Sequence, residues 1–252
     1  MNILELDAGN SRIKWRIVSS GADRNLLAHG VAIAQTSAIA VTELAGQLAA
    51  QAMANVERIR VASVRGEAFA LEFTELAQDT WRIRPEFARV EIKTAGVTNA
   101  YAEVSTMGVD RWLAILAAYD KSASACCVLD CGSAITFDWV DDSGRHLGGY
   151  IAPGLHLMRQ SLAGKARALN IPFQDWNDPM PGTNTAAAIG NGILAMACGF
   201  AEHCRDIVMA NGSPEAHWYL TGGDAEIVGR HLSWKVELAR DLVMDGLVLA
   251  MP

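Results

Sequence analysis

Ile13, Trp15 and Ile17 alternate with Lys14 and Arg16, and this period of two predicts a strand near 12–18. An apolar run near 2–7 precedes it and a third strand is expected near 27–33, so the chain should open with an antiparallel meander. An Ala/Leu-rich helix near 37–54, a strand near 58–64 and a helix near 67–80 then supply crossover connections, the mark of a mixed α/β unit. From Thr94 to Thr106 both periods lapse into small and polar residues, and a helix is expected from Val109 to about Lys121. This junction suggests two halves, 1–107 and 108–252. In the second half, strands are expected near 126–131, 134–140 and 146–152, with a turn at Asp142-Ser143-Gly144. Pro153-Gly154 breaks the chain ahead of a helix near 155–165, and Ile171 to Thr183, with three prolines, should be a surface loop. An Ala-rich helix over about 185–211, a short strand His217–Leu220, a turn Thr221–Asp224 and a helix near 242–250 complete the chain.

The two halves share a pattern. Ile3-Leu4-Glu5-Leu6-Asp7-Ala8-Gly9-Asn10-Ser11 and Cys127-Val128-Leu129-Asp130-Cys131-Gly132-Ser133 both run an apolar strand into Asp-x-Gly-[Asn/Ser], with the aspartates 123 positions apart (130 − 7). Gly21 and Gly144 keep the same spacing, so the copies align without a gap and point to a duplicated domain. In each copy a strand should carry a carboxylate to its C-terminal end. The glycine that follows lets the backbone turn tightly and approach an anion.

Composition narrows the partners. A formal net charge of −7 argues against a nucleic-acid binder, and 51% hydrophobic residues describe a globular chain in which charge is expected to interrupt every long apolar stretch before it could span a bilayer. Met1 to Asp7 holds two acids and no base, unlike a secretory or transit peptide, so a cytoplasmic location is expected. The five cysteines, Cys126, Cys127, Cys131, Cys198 and Cys204, form no Cys-x-x-Cys pair and read as free, buried thiols.

No Gly-x-x-x-x-Gly-Lys-[Ser/Thr] loop occurs, and Gly190-x-Gly192-x-x-Ala195 falls inside the Ala-rich helix, where it reads as a close-packing face and not a dinucleotide turn. Asp7, Gly9, Asn10, Ser11 and Lys14 make a stronger set: a carboxylate for Mg²⁺, directly or through water, with backbone N–H groups, a hydroxyl and an ammonium for phosphate oxygens. Asp130, Gly132, Ser133 and Thr136 repeat it, and Leu220-Thr221-Gly222-Gly223-Asp224 offers paired glycines against which an adenine could lie. In this order the three elements resemble the nucleotide-binding pattern of the acetate and sugar kinase, heat-shock ATPase and actin superfamily. That resemblance implies duplicated ribonuclease-H-like (actin-like ATPase) domains, mixed β-sheets flanked by helices, with the active-site cleft between the halves.

Further motifs sharpen it: Gly-Val-x-Asn-x-Tyr at 96–101, Gly-Val-Asp-Arg-Trp at 108–112, Gly-Gly-x-Ile-x-Pro-Gly at 148–154 and Asn-Thr at 184–185. With the Asp-x-Gly elements they resemble the type III pantothenate kinases over nearly the whole chain. Cys131 and Ser133 stand where bulkier or threonine-type residues are common in that family, and a proline often found before Gly108 is missing. The resemblance implies ATP-dependent phosphorylation of pantothenate, the first step toward coenzyme A, by a homodimer using Mg²⁺ and a monovalent cation, K⁺ or NH₄⁺. It assigns ATP to Asp7, Ala8, Gly9, Asn10, Ser11, Arg12, Ile13, Lys14, Gly132, Ser133, Gly222 and Gly223, and the monovalent cation to Asp130. Asp110 becomes the general base, with Tyr101, Gly108, Val109, Asp110, Arg111 and Thr185 contacting pantothenate, and the helix from Val109 is expected near the dimer interface through Trp112, Leu113, Leu116 and Ala117. Two other readings stay open: a non-catalytic accessory transcription factor of the same family, and a kinase of the superfamily acting on another small alcohol.

Overall fold

The structure, a computed structural model, describes residues 1–20, 24–33, 37–50, 55–165 and 179–252. Gly21 and residues 51–54 and 171–178, on which parts of the repeat, the first helix and the proline-rich loop were expected, lie outside them. The chain divides into two compact units, one of Met1–Ala95, Tyr101–Ala117 and Val243–Pro252, the other of Gly96–Ala100 and Ala118–Leu242.

The first unit holds β1 (Asn2–Ala8), β2 (Arg12–Ser19), β3 (Leu26–Ile33), α1 (Ser37–Ala50), β4 (Val56–Ser63), α2 (Gly66–Trp81), β5 (Glu86–Phe87), β6 (Lys93–Thr94), most of α3 (Val109–Ser122) and the last helix, α7 (Leu242–Ala250). Its sheet runs β3-β2-β1-β4-β5, antiparallel through the meander and parallel from β1 to β4 to β5. β1 is apolar on alternate positions for one face and mixed on the other. Leu4, Leu6 and Ala8 join Ile13, Trp15, Ile17, Ile59, Val61, Phe69 and Phe73 in one core. The opposite face carries Glu5, directly across from Arg16 on β2 and Arg60 on β4.

Glu5 is fully buried and accepts from Arg16 Nε at 2.8 Å and Arg60 Nη1 at 3.3 Å, with Arg24 as a third partner. Arg16 also donates to Asp245 of α7 at 2.9 Å, so the network ties the last helix to the meander. Burial works against the charge on both buried arginines. For Arg16 the carboxylates of Glu5 and Asp245 outweigh it and raise the pKa, whereas for Arg60 burial and neighbouring Arg58 outweigh Glu5 and lower it. Gly246 brings α7 against the backbone of Leu113 on α3, where a Cβ would overlap it.

The second unit begins with β7 (Val97–Thr98) and contains β8 (Cys126–Cys131), β9 (Ala134–Val140), β10 (His146–Pro153), α4 (Leu155–Lys165), α5 (Thr185–Ala210), β11 (His217–Thr221), α6 (Ala225–Gly229) and β12 (Glu237–Leu238). Its sheet order, β10-β9-β8-β11-β12, repeats that of the first unit strand for strand. The repeat nevertheless needs a gap. Asp7 pairs with Lys14, seven residues on (14 − 7), whereas Asp130 pairs with Thr136, six on (136 − 130), because the second hairpin is one residue tighter.

Two other expectations change. Residues 179–201 carry no charge, and α5 is long and apolar enough to cross a membrane by length and composition. Its Ile193, Leu194, Ala197, Cys198, Ala201, Cys204 and Val208 line the core of the second unit at helical spacing, while the exposed Gly192, Ala195, Met196 and Gly199 between them carry no charge either. Gly190 and Gly192 are not a close-packing face, since a Cβ at either would meet nothing within 4 Å. Trp112, Leu113, Leu116 and Ala117 are buried within the chain itself, the intramolecular face that their helical spacing indicates.

Truncating one member of a buried ion network leaves the others uncompensated, so Glu5→Ala should lower unfolding free energy by about 3–5 kcal/mol. Glu86→Ala, which breaks a half-exposed pair with Arg58, should cost no more than about 1 kcal/mol. Urea titrations of the two variants check the contrast; equal losses would remove the network from its structural role.

Candidate active site

In the first unit Asp7 lies one residue from the end of β1, on the same face as Glu5 and directly across from Lys14. An Asp and a Lys at paired positions put opposite charges side by side on one face of the sheet. The loop Gly9-Asn10-Ser11 then leads into β2, where Arg12 and Ile13 begin the return strand. Arg65, at the start of α2, donates from Nε to the Gly9 carbonyl and from Nη2 to the Asn10 carbonyl, each at 2.7 Å.

Asp110 sits in the first turn of α3, where its Oδ1 accepts the Arg111 N–H at 2.8 Å. A Cβ at Gly108 would stand 2.6 Å from that oxygen, so the carboxylate occupies room that only glycine leaves. Gly108 also starts the helix, its carbonyl accepting from Trp112 N–H at 3.1 Å, and Val109 is its first residue. The Arg111 guanidinium is buried, donates to Tyr101 Oη at 2.9 Å and lies 5.8 Å from the Tyr101 ring centre. Tyr101, Gly108, Val109, Asp110 and Arg111 thus come together as the sequence suggested.

In the second unit Asp130 occupies the matching strand end, across from Thr136 and beside Thr221 of β11. Glycines crowd around it. Gly132 would place a Cβ 3.3 Å from Asp130 Oδ1, and one at Gly222, whose φ is +93°, would overlap that oxygen and the Cys131 carbonyl. Gly154 packs on the same turn and donates to the Ser133 carbonyl at 3.1 Å. Gly222 and Gly223 lead into Asp224, whose N–H reaches the Cys131 carbonyl at 2.8 Å and whose carboxylate faces His156 Nε2 at 3.5 Å. Thr185 opens α5 behind Asn184, whose side chain accepts from Ala187 N–H at 3.0 Å.

Two residues were missed in the sequence. Asp224 is a buried carboxylate at the Gly-Gly turn, and its place at the end of the Leu-Thr-Gly-Gly-Asp run was a usable signal. Arg65 had none, because its loop lies more than fifty residues upstream. The five cysteines are free and buried as expected, and burial pushes the thiols of Cys126 and Cys204 up to about 12, which leaves them unreactive.

Among the described residues no group of three or more His, Cys, Asp or Glu side chains could hold a metal ion. The donors instead fit a hard cation shared with phosphate: a single strand-end carboxylate in each unit, with Asp130 set in a glycine-lined recess. Two five-stranded sheets of one topology, each delivering an aspartate ahead of a glycine turn, define an actin-like ATPase and sugar-kinase fold. Solved structures agree on that fold. A candidate Baf family transcriptional activator from Campylobacter jejuni matches with a TM-score of 0.58 at 19% identity over 97% of this chain and 95% of its own. A candidate 2-dehydro-3-deoxygalactonokinase from Sinorhizobium meliloti matches with 0.58 at 16% identity over 98% and 95%.

The particular family follows from sequence. The family model described as type III pantothenate kinase matches residues 3–206, and the type III pantothenate kinase of Pseudomonas aeruginosa (strain LESB58) is 37% identical over 254 residues, 99% of each chain. The chain belongs to the type III pantothenate kinase family.

The glycine at 222 should be irreplaceable on two grounds, left-handed backbone and lack of room beside Asp130. Gly222→Ala is therefore expected to weaken nucleotide binding by at least tenfold and to lower the melting temperature. Gly108→Ala should spare the fold but displace the Asp110 carboxylate, cutting turnover with little change in melting. Binding titrations with calorimetric melts separate the two outcomes.

Proposed function

We propose that this chain transfers the γ-phosphoryl group of ATP to the 4′-hydroxyl of pantothenate, giving 4′-phosphopantothenate and ADP, the first step of coenzyme A biosynthesis. Membership of the type III pantothenate kinase family carries this reading. The cluster of Asp110, Arg111 and Tyr101 supports it from the side of the acceptor.

A primary alcohol is a weak nucleophile at neutral pH. Asp110 accepts its proton as the oxygen attacks phosphorus, and ADP leaves with the bridging oxygen. Its Oδ1 is held by the Arg111 N–H, which fixes the carboxylate's orientation without consuming its second oxygen in that bond. Arg111 supplies a planar, cationic fork for the pantothenate carboxylate, and Tyr101, which receives one of its N–H groups, orients that fork. Gly108, Val109 and Thr185 complete the acceptor's surroundings.

ATP belongs to the residues from Asp7 to Lys14, to Gly132 and Ser133, and to the Gly222-Gly223 turn. Asp7 would hold Mg²⁺, directly or through water, and Asp130 a K⁺ or NH₄⁺ ion. When bound, these cations would neutralise charge on the phosphates, and the protein's own contribution is positioning.

The reaction runs in the cytoplasm, which suits five free thiols. Pantothenate, ATP and a second copy of the chain are its partners, with no nucleic acid or membrane. The homodimer is what the family resemblance implies. An active monomer in sedimentation at micromolar concentration would reject it. Neither alternative is favoured: a likeness of 19% identity to a candidate transcriptional activator bears on the fold alone.

ADP release should require pantothenate together with ATP. Release that is unchanged when pantothenate is omitted would overturn the assignment. Replacing K⁺ and NH₄⁺ by a bulky organic cation should abolish turnover while Mg²⁺ is present, and full activity in that buffer would remove Asp130 from its cation role.

A further inference from the structure

We infer that Arg65 is a positioning residue for the nucleotide phosphates, setting the direction of two backbone N–H donors in the Gly9-Asn10-Ser11 loop. The inference rests on the proposal that this loop takes ATP. Its basis is peptide geometry. Arg65 donates to the Gly9 carbonyl and the Asn10 carbonyl, each at 2.7 Å, so both oxygens point toward the guanidinium. In a planar trans peptide the C=O of one residue and the N–H of the next point in opposite directions, and no cis peptide occurs among the described residues. The N–H groups of Asn10 and Ser11 are therefore turned away from Arg65, both to the side opposite the guanidinium. Consecutive N–H groups aimed to one side form a concavity for an anion.

The arginine is itself braced. Its own N–H is bound to Ser63 Oγ at 3.2 Å, the adjacent Val64 N–H to the Ala8 carbonyl at 3.2 Å, and its guanidinium lies 5.9 Å from the ring centre of fully buried Phe69. The loop backbone is thus fixed at both ends of the bridge, to β1 through Ala8 and to α2 through Phe69. A planar guanidinium suits the task because its Nε and Nη2 can serve two carbonyls at once, which an ammonium on a flexible stem does with far less preorganisation. Arg65 sits behind the loop and does not touch the phosphates in this scheme.

The test is binding of Mg-ATP, and separately of pantothenate, to wild type, Arg65→Ala and Arg65→Lys, with melting temperatures recorded for each. Loss of both bonds should weaken Mg-ATP binding on the order of ten- to hundredfold. Arg65→Lys should recover only part of that, and the pantothenate constant should stay within about twofold. In steady state the same split appears as a raised KM for ATP with an unchanged KM for pantothenate. Unchanged ATP affinity in Arg65→Lys and Arg65→Ala, or equal weakening of both substrates, would overturn the inference. If Arg65→Ala fails to fold, Arg65→Lys carries the test alone. Nucleotide binding is read without turnover. A wild type that binds Mg-ATP but leaves pantothenate unphosphorylated therefore defeats the substrate assignment while Arg65 is still judged, and a wild type that binds no nucleotide defeats both.

Discussion

The carboxylates proposed to act in this kinase stand where the backbone has been kept free of side chains, and that steric constraint governs the sequence around them. Asp110 lies over Gly108, and Asp130 is enclosed by Gly132 and Gly222. A methyl group at Gly222 would overlap the Cys131 backbone as well as Asp130, one at Gly108 would displace the Asp110 carboxylate, and one at Gly132 would crowd Asp130. At Gly222 the constraint is doubled by a left-handed φ. A short acid so confined has few rotamers to choose from, so its oxygen is placed before any substrate arrives. Preorganised charge of this kind is what phosphoryl transfer asks of a protein, since there is little covalent chemistry for side chains to perform.

The strands that present these acids are held by different means in the two units. In the first, Glu5 pins β1 to β2 and β4 through Arg16 and Arg60, two residues before Asp7 on the same face. A one-residue slip of register would turn both acids to the opposite face, into the apolar core, so the ion network and the hydrophobic set enforce the same register. In the second, Val128 stands where Glu5 does, across from Asp138 and Tyr219 in place of Arg16 and Arg60, while Cys127, Leu129 and Cys131 on the core face pack with Ile135, Phe137 and Ala197. Position Asp138, on the other face of that sheet, pairs instead with His146 at 3.0 Å, and Ala100 N–H reaches the other ring nitrogen at 3.5 Å. Duplication has kept the topology and the strand-end aspartate while the supporting chemistry has diverged.

Much of this was legible in the sequence because it rests on local periodicity. The two meanders, the helices of eleven residues or more and the Asp-x-Gly turns all follow from alternation and glycine placement within a few residues. What stayed hidden is long-range or very short. β5 and β12, two residues each, cannot show a period, and the one-residue difference between the hairpins is a matter of pairing register. Nothing local to Glu5 names its partners, which are arginines on neighbouring strands, one of them tied in turn to an Asp on the last helix. The paired glycines of α5 misled toward close packing, because composition does not say which face of a helix meets the core. Individual roles in the site were read through family motifs, and geometry adds the glycine cradles and Arg65.

The claim at the centre is that Asp110, held over Gly108, takes the proton of the acceptor hydroxyl. Replacing it by Asn keeps the shape and removes the base, so the direct measurement is kcat of Asp110→Asn at saturating ATP and pantothenate, with substrate binding confirmed on the same sample. A fall on the order of a hundredfold to ten-thousandfold with binding retained is the predicted result. A variant that keeps more than about half the wild-type rate would contradict it.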